Sequence, residues 1–232
     1  MQIELPTLQG TLIKRYKRFL ADVELDSGNV VTAHCPNTGS LKGCLEAGSR
    51  VVLRDSQNPE RKLPLTLQTI EVGGTWVNVD TGLPEALALE AVQAGKIADL
   101  RGYASVRTQV KYGKNSRIDL LLEDPGKGQC YVEVKNTTLV DGNRGLFPDA
   151  VTTRGLKHLL ELADMVASGH RAVMLYIVSR SDAVSFSPAR DIDPDYGAAL
   201  DDVVQRGVEI LAYSTVVSPQ SFELGKKLRV LL

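Results

Sequence analysis

Arg117-Ile118-Asp119-Leu120-Leu121-Leu122-Glu123 is followed, ten residues after Glu123, by Glu133-Val134-Lys135. The intervening Asp124-Pro125-Gly126-Lys127-Gly128 has the composition of a hairpin loop. If 124–128 turn the chain, Glu123 stands opposite Gln129 and, counting inward, Asp119 stands opposite Glu133. Side chains alternate along a strand, so Asp119, Glu133 and Lys135 share one face while Ile118, Leu120, Val132 and Val134 point to the other. Carboxylates opposed at about 5 Å repel one another unless something positive lies between them. Mg²⁺ or Mn²⁺ supplies that charge, because such hard cations take carboxylate and water oxygens and accept one or two carboxylates plus a substrate phosphate. Lys135 would then orient a water for in-line attack on phosphorus. The chemistry expected is metal-dependent hydrolysis of a phosphodiester. On spacing alone, the alternative is a solvated strand face on which Lys135 pairs with Glu133. A register slip of one residue would also put the carboxylates on opposite faces.

The elements around these residues fall into two rhythms. Residues 12–16, 20–25, 30–34, 50–54, 63–72 and 75–80 carry β-branched or alternating apolar residues. Asp26-Ser27-Gly28-Asn29 and Gly73-Gly74 are turn signals between them. With one short helical piece expected at 40–45, they suggest a small closed barrel of OB type, a β-sandwich being the other arrangement compatible with the pattern. After Gly82, Pro84 opens a helix to about residue 94. Strands are expected at 104–112, 117–123 and 129–135, and a polar stretch at 136–150. A helix follows at 152–167, with Leu156, Leu159, Leu160, Ala163 and Val166 as its apolar stripe. A strand at 172–178, a helix at 196–206 and a strand at 208–213 complete a mixed α/β domain.

Composition bounds the function. The 232 residues are 43% hydrophobic and 24% charged, which excludes disorder and a fibrous repeat. No apolar run approaches the roughly 18 residues of a membrane span, and Met-Gln-Ile-Glu-Leu-Pro at the start has neither a basic opening nor an apolar segment. An unexported, cytoplasmic protein without a membrane partner is expected. Cys35, Cys44 and Cys130 include no C-x-x-C, so neither a disulfide framework nor a four-thiolate zinc site fits. The formal net charge is -1, but its distribution is uneven. Lys96, Arg101, Arg107, Lys111, Lys114 and Arg117 face only Asp99 in their stretch, whereas seven acids against two bases occupy 182–209. One cationic face for phosphates and one solvated acidic face would account for this.

The R-I-D…E-V-K arrangement resembles the D…(D/E)-x-K core of restriction-endonuclease-like nucleases. The wider set closely resembles the bacterial sugar fermentation stimulation protein A family: His34-Cys35-Pro36-Asn37-Thr38-Gly39, Tyr112-Gly113, Ser116-Arg117-Ile118-Asp119, Tyr131-Val132-Glu133-Val134-Lys135, Phe147-Pro148-Asp149-Ala150-Val151, Arg154-Gly155 and Lys157-His158-Leu159. The resemblance runs over nearly the whole chain. It implies an N-terminal OB-like β-barrel over 1–82, a restriction-endonuclease-like α/β domain with a mixed sheet over 83–232, sequence-tolerant DNA binding, and a link by name to regulation of sugar metabolism. It also implies Asp119, Glu133 and Lys135 as catalytic residues, the two acids binding metal. Glu90, on the helix before the sheet, falls where many nucleases of this kind keep a further acid. Gln109 and Thr153 depart from the pattern, each standing where the resemblance implies Glu.

Further candidates surround this core. Lys14, Arg15, Lys17 and Arg18 interleave with Tyr16 and Phe19, a stretch that would track a phosphate backbone and stack bases, or would simply alternate along a strand. Asn37 and Thr38 form a turn and are secondary candidates for strand contact. Arg117 belongs to the cationic stretch; Arg154 and His158, four apart, would share a helix face aimed at a phosphate. Asp149 after Pro148 reads as a helix cap with Thr152 rather than a metal ligand. No phosphate-binding G-x-x-x-x-G-K-[ST], dinucleotide-binding G-x-G-x-x-G or hydrolase G-x-S-x-G occurs. The expected partner is DNA, with RNA or single strands as further substrates. The rival reading is a DNA-binding regulator that keeps the fold without cleaving; a third has the site act on a small phosphorylated metabolite.

Overall fold

In the computed structural model the described residues are 1–3, 6–113 and 115–232. Glu4 and Leu5 of the opening segment, and Lys114 of the cationic stretch, lie outside them. The β-branched and alternating residues of the first third form β1 (Thr7–Tyr16), β2 (Leu20–Leu25), β3 (Val30–His34), β4 (Arg50–Asp55), β5 (Leu65–Val72) and β6 (Thr75–Asn78). They join in the order β3-β2-β1-β4-β5-β6, and a further pairing of His34 with Thr66 ties β3 to β5. The circuit β1-β2-β3-β5-β4 therefore closes as an OB-type five-stranded barrel, with β6 added beside β5. Closure removes open edges, and the inward residues Leu12, Val23, Val51, Leu53, Leu67 and Ile70 form one dry core. Gly73 and Gly74 make the two-residue β5–β6 turn with φ of 56° and 80°, a conformation that costs residues with a Cβ about 1–2 kcal/mol each.

The rest of the chain runs α1 (Leu83–Gln93), a single 3₁₀ turn (Ala98–Leu100), β7 (Ser105–Tyr112), β8 (Ser116–Asp124), β9 (Gly128–Thr137), β10 (Leu139–Asp141), β11 (Arg144–Phe147), α2 (Thr153–Ala167), β12 (Arg171–Val178), β13 (Ser185–Pro188), α3 (Pro194–Gln205), β14 (Glu209–Val217), β15 (Phe222–Lys227) and β16 (Arg229–Val230). The main sheet has the order β15-β14-β12-β9-β8-β7, with β9, β12 and β14 parallel and the outer pairs antiparallel. This mixed sheet between helices is the restriction-endonuclease-like arrangement. Strand β12 is almost continuously apolar because both of its faces are covered. Met174 and Tyr176 pack in the core beneath α2 and α3, Val173, Leu175 and Ile177 in the core beneath α1. No helix among the described residues is long and apolar enough to cross a membrane.

Three expectations need correction. Residues 40–45 form turns rather than a helical piece. Leu41 (φ 49°) and Gly43 (φ 78°) are left-handed, and the Leu41 and Lys42 N–H groups are met by side chains instead of helical carbonyls. The polar stretch 136–150 holds the end of β9 together with β10 and β11, which join β13 and β16 in a small second sheet. On α2 the buried face is Gly155, His158, Leu159, Glu161, Leu162 and Ala163, while Leu160 of the expected stripe is exposed.

The barrel is tied to the mixed-sheet part through Asp149. Its Oδ2 accepts from the Leu41 N–H at 2.8 Å and from the Ser40 hydroxyl at 3.0 Å, and the same hydroxyl reaches the Asp149 carbonyl at 2.7 Å. Asp149 is therefore a tie between the two parts and not the helix cap. Thr152 caps α2, its Oγ1 accepting from Gly155 N–H at 3.0 Å, a contact worth about 1 kcal/mol.

Candidate active site

The hairpin register is the one the loop dictates: Glu123 pairs with Gln129, Leu122 with Cys130 and Leu120 with Val132. Pairing then stops. The β7–β8 ladder likewise passes from Thr108–Leu120 to Val110–Ile118, so Asp119 is paired on neither side. Gln109, across from it, has φ 53°, which breaks the pleat of β7. Strict alternation fails at this point. Ile118 packs beneath α2 with Tyr112 and Leu121, while Leu120, Leu122 and Val132 pack beneath α1, so Ile118 does not share a face with Leu120. In the opening so formed, Asp119 Oδ2 accepts from the Val134 N–H at 2.8 Å, replacing the missing ladder bond and bringing its carboxylate to the backbone between Glu133 and Lys135.

Glu133 is only 2% exposed. Its Oε1 accepts from Lys135 Nζ at 2.6 Å and from His158 Nδ1, while its Oε2 is buried with no hydrogen-bond partner among the described residues. Lys135 Nζ also lies 3.1 Å from His158 Nδ1. Arg154 Nε points at His158 Nε2 from 3.4 Å. A carboxylate can only accept, so Nδ1 carries the ring proton and donates to Glu133; its approach to the Lys135 ammonium, itself only a donor, is then no hydrogen bond, and Nε2 is left to accept from Arg154. The sequence stripe put His158 on an exposed phosphate-facing side of the helix; burial makes it a brace for Glu133 instead. Arg154 remains exposed at the rim.

The two carboxyl groups diverge electrostatically. Asp119 is pushed up to about 7 by burial first and by the Glu133 charge second, against the Val134 N–H and the Lys135 ammonium. Burial pushes Glu133 up as well, but the His158 hydrogen bond and the Lys135 charge outweigh it and hold the group below its ordinary value. A shared proton therefore favours Asp119 and the negative charge favours Glu133. The neighbouring Tyr112 hydroxyl, buried without a partner among the described residues, is raised by burial and then by the charges of Glu133, Glu161 and Asp119.

Among the described residues, no three His, Cys, Asp or Glu side chains converge as a metal cage. The donor chemistry is nevertheless that of a Mg²⁺ or Mn²⁺ site with few protein ligands. Two carboxylates adjoin, one with an oxygen that has no partner among the described residues and the other raised by burial and then by its neighbour's charge. A divalent cation fits these residues.

The remaining candidates are distributed as follows. Glu90 is not brought to the group; it sits 3.4 Å from the Met1 ammonium and 3.8 Å from Lys96. Glu85, five residues earlier and so about 140° round the helix, is the acid that reaches it. Gln109 Nε2 donates to Glu85 Oε1 at 2.7 Å and to Asp119 Oδ1 at 3.2 Å. An acid in a first helical turn reads from sequence as compensation of the helix dipole, which hid Glu85. Arg117 crosses to the Gln109 carbonyl at 2.7 Å and lies at the rim. In the barrel, Arg15 is a clamp, donating to the carbonyls of Arg18, Asn37, Gly39 and Ser40. Lys17 and Arg18 are exposed at the β1–β2 tip with φ of 49° and 65°. Asn37 is buried, its Oδ1 accepting from Gly39 N–H at 2.8 Å, and Thr38 is exposed.

Compared with known proteins, residues 13–79 match the SfsA N-terminal OB domain and residues 82–221 the sugar fermentation stimulation protein RE domain. A sugar fermentation stimulation protein homolog from Pelobacter propionicus is 55% identical over 98% of both chains. One from Geotalea uraniireducens is 53% identical over 99% of both. The solved structure of Pyrococcus furiosus SfsA in complex with Ca²⁺ is 25% identical, covers 100% of this chain and 98% of its own, and superposes with a TM-score of 0.90.

Proposed function

From the premise that this chain belongs to the sugar fermentation stimulation protein family, we propose that it binds DNA and hydrolyses its phosphodiester bonds with Mg²⁺ or Mn²⁺. The observation that carries the reading is the interrupted pairing at Asp119, which sets one carboxylate beside a second, buried one that is braced by Lys135 and His158. Sheets do not ordinarily leave an acid unpaired on both sides and a carboxylate oxygen orphaned unless a ligand completes the group.

In this reading Asp119 and Glu133 hold the cation. When bound, the ion would supply Lewis-acid stabilisation of charge on the phosphate oxygens. Lys135 holds the attacking water, and its ammonium offsets negative charge as the new bond forms. His158 keeps Oε1 of Glu133 committed, which leaves Oε2 as the oxygen that would hold the cation. Arg117 and Arg154, exposed at the rim, take flanking phosphates, and Lys17 and Arg18 follow the strand on the barrel. The chain works as two units, 1–82 and 83–232, in a reducing cytoplasm where Cys35, Cys44 and Cys130 stay as buried free thiols. The family's Ca²⁺-bound relative is in keeping with a divalent site.

A second reading, a DNA-binding regulator without cleavage, draws on Gln109. An amide rather than an acid bridges Glu85 and Asp119, which reduces the charge available for a fuller metal shell. Incubation with single- and double-stranded DNA and RNA in Mg²⁺, Mn²⁺ or EDTA separates the two. Cutting that requires metal and falls on the order of 10²–10³-fold in Asp119→Ala is the expected result. Salt-sensitive binding with every strand left whole would instead establish the regulator.

A further inference from the structure

Where the barrel meets the mixed-sheet part, a cavity of about 150 Å³ opens between Asn37 of the barrel loop, Thr81 at the junction, Asn136 in β9 and Thr138 just after it, Phe147 at the end of β11 and Asp149 beyond it. We infer that this cavity receives a single unpaired pyrimidine base of the nucleic acid whose backbone lies at Lys135. The inference rests on the DNA-processing reading above and specifies its substrate: a strand that is single or has a nucleotide turned out of its stack.

Position is the first argument. Thr137, two residues after Lys135 and so on the same face of β9, lines the cavity, and strands rise about 3.3 Å per residue, so the cavity wall begins within roughly 7 Å of the lysine along the strand. A base in the cavity therefore belongs to a nucleotide adjoining the phosphate held there. Size is the second. About 150 Å³ is the volume of a cavity known to take up one benzene ring, which holds the single ring of a pyrimidine with room to spare, whereas the two rings of a purine would fill it at the limit of close packing.

Chemistry is the third. Phe147 is a held aromatic surface, its ring backed by Tyr176 and Tyr196 at centroid distances of 5.5 and 5.2 Å, yet it stays partly exposed on the cavity side of the seam. Bases stack on such rings without regard to sequence. Asn37 uses only its Oδ1 to hold the Gly39 N–H, and among the described residues no hydrogen bond engages its amide nitrogen. Asp149 commits Oδ2 to the barrel loop, so its second oxygen is available as an acceptor. On the β9 wall, the Asn136 amide nitrogen and the Thr137 hydroxyl, the latter in a residue 1% exposed, are buried without partners. A donor, an acceptor and an aromatic face around a one-ring space is how a turned-out base is read.

Thr81 is exposed at the mouth, so Thr81→Trp closes the entrance without touching the core. Binding of three labelled strands of equal length and charge is measured in EDTA, which suspends any metal-dependent cutting: oligo-dT, oligo-dA and a fully abasic strand. Wild type is expected to bind oligo-dT roughly tenfold more tightly than the other two. Thr81→Trp is expected to bring all three to the abasic value. Equal wild-type affinities for the three strands, or a preference that survives Thr81→Trp, would overturn the base cavity while leaving DNA binding in place. Binding of oligo-dT and oligo-dA alike, both tighter than the abasic strand, would overturn the one-ring assignment. No binding of any of these single strands, under conditions where the protein is folded, would overturn the base cavity, and loss of duplex DNA binding in the same buffer as well would remove the proposed function with it.

Discussion

Asp119→Asn is expected to melt roughly 5–10 °C above wild type in metal-free buffer at pH 8, while losing metal-dependent cleavage. The physical reason is the raised Asp119 carboxyl. It lies near 7 in the folded protein against an ordinary value of 3.8. Between about pH 4 and pH 7 the folded chain keeps a proton that the unfolded chain has released, so stability falls as pH rises through that window and stays low above it. At pH 8 the folded protein bears a charge it disfavours by an amount on the order of 2–4 kcal/mol. Asn keeps an oxygen to accept from Val134 N–H and removes the charge. Thermal melts of both proteins from pH 4 to pH 8 check this: the wild-type midpoint should fall across the window relative to the variant. Parallel pH profiles would show that Asp119 bears no such burden.

Glu133→Ala should do the reverse, lowering stability by about 3 kcal/mol although it also removes a site carboxylate. Glu133 is the group that Lys135 and His158 both address, and its carboxyl is held below its ordinary value. Truncation leaves the Lys135 ammonium, 14% exposed, facing an empty space without its counter-charge. Removing one partner of a buried pair costs about 3–5 kcal/mol, whereas removing a repelled charge is favourable. Urea unfolding at pH 7.5 would show a lower midpoint at unchanged slope for Glu133→Ala. A midpoint equal to that of Asp119→Asn would mean that the two carboxylates are equivalent, against the divergence seen in the site.

The spacing of Asp119, Glu133 and Lys135 was legible because the expected loop 124–128, whose outer residues Asp124 and Gly128 pair as strand, sets the same register on both sides of the turn. The break in pairing at Asp119 was not, since it coincides with Gln109 adopting a left-handed backbone that its residue type does not announce. His158 was misplaced for a related reason. A helix stripe read from apolar residues favours Leu160, but here the helix turns so that His158 and Glu161 enter the interior, where partners on β9 and Lys157 compensate them. Glu90 and Glu85 illustrate the same limit: both are acids on α1, and only the packing of the helix against the sheet selects which one approaches. The barrel was readable from alternation and its Gly-Gly turn. The small sheet was not, because β10, β11 and β16 are two to four residues long and are joined through β13, to which β11 and β16 pair from far away in sequence.

Diffraction from crystals soaked in Mn²⁺, measured for anomalous signal, addresses the paired acids without relying on turnover. A peak between the carboxylates of Asp119 and Glu133, absent in Asp119→Asn, is the result this account requires. Mn²⁺ bound elsewhere, with the space between those two side chains empty, would contradict it.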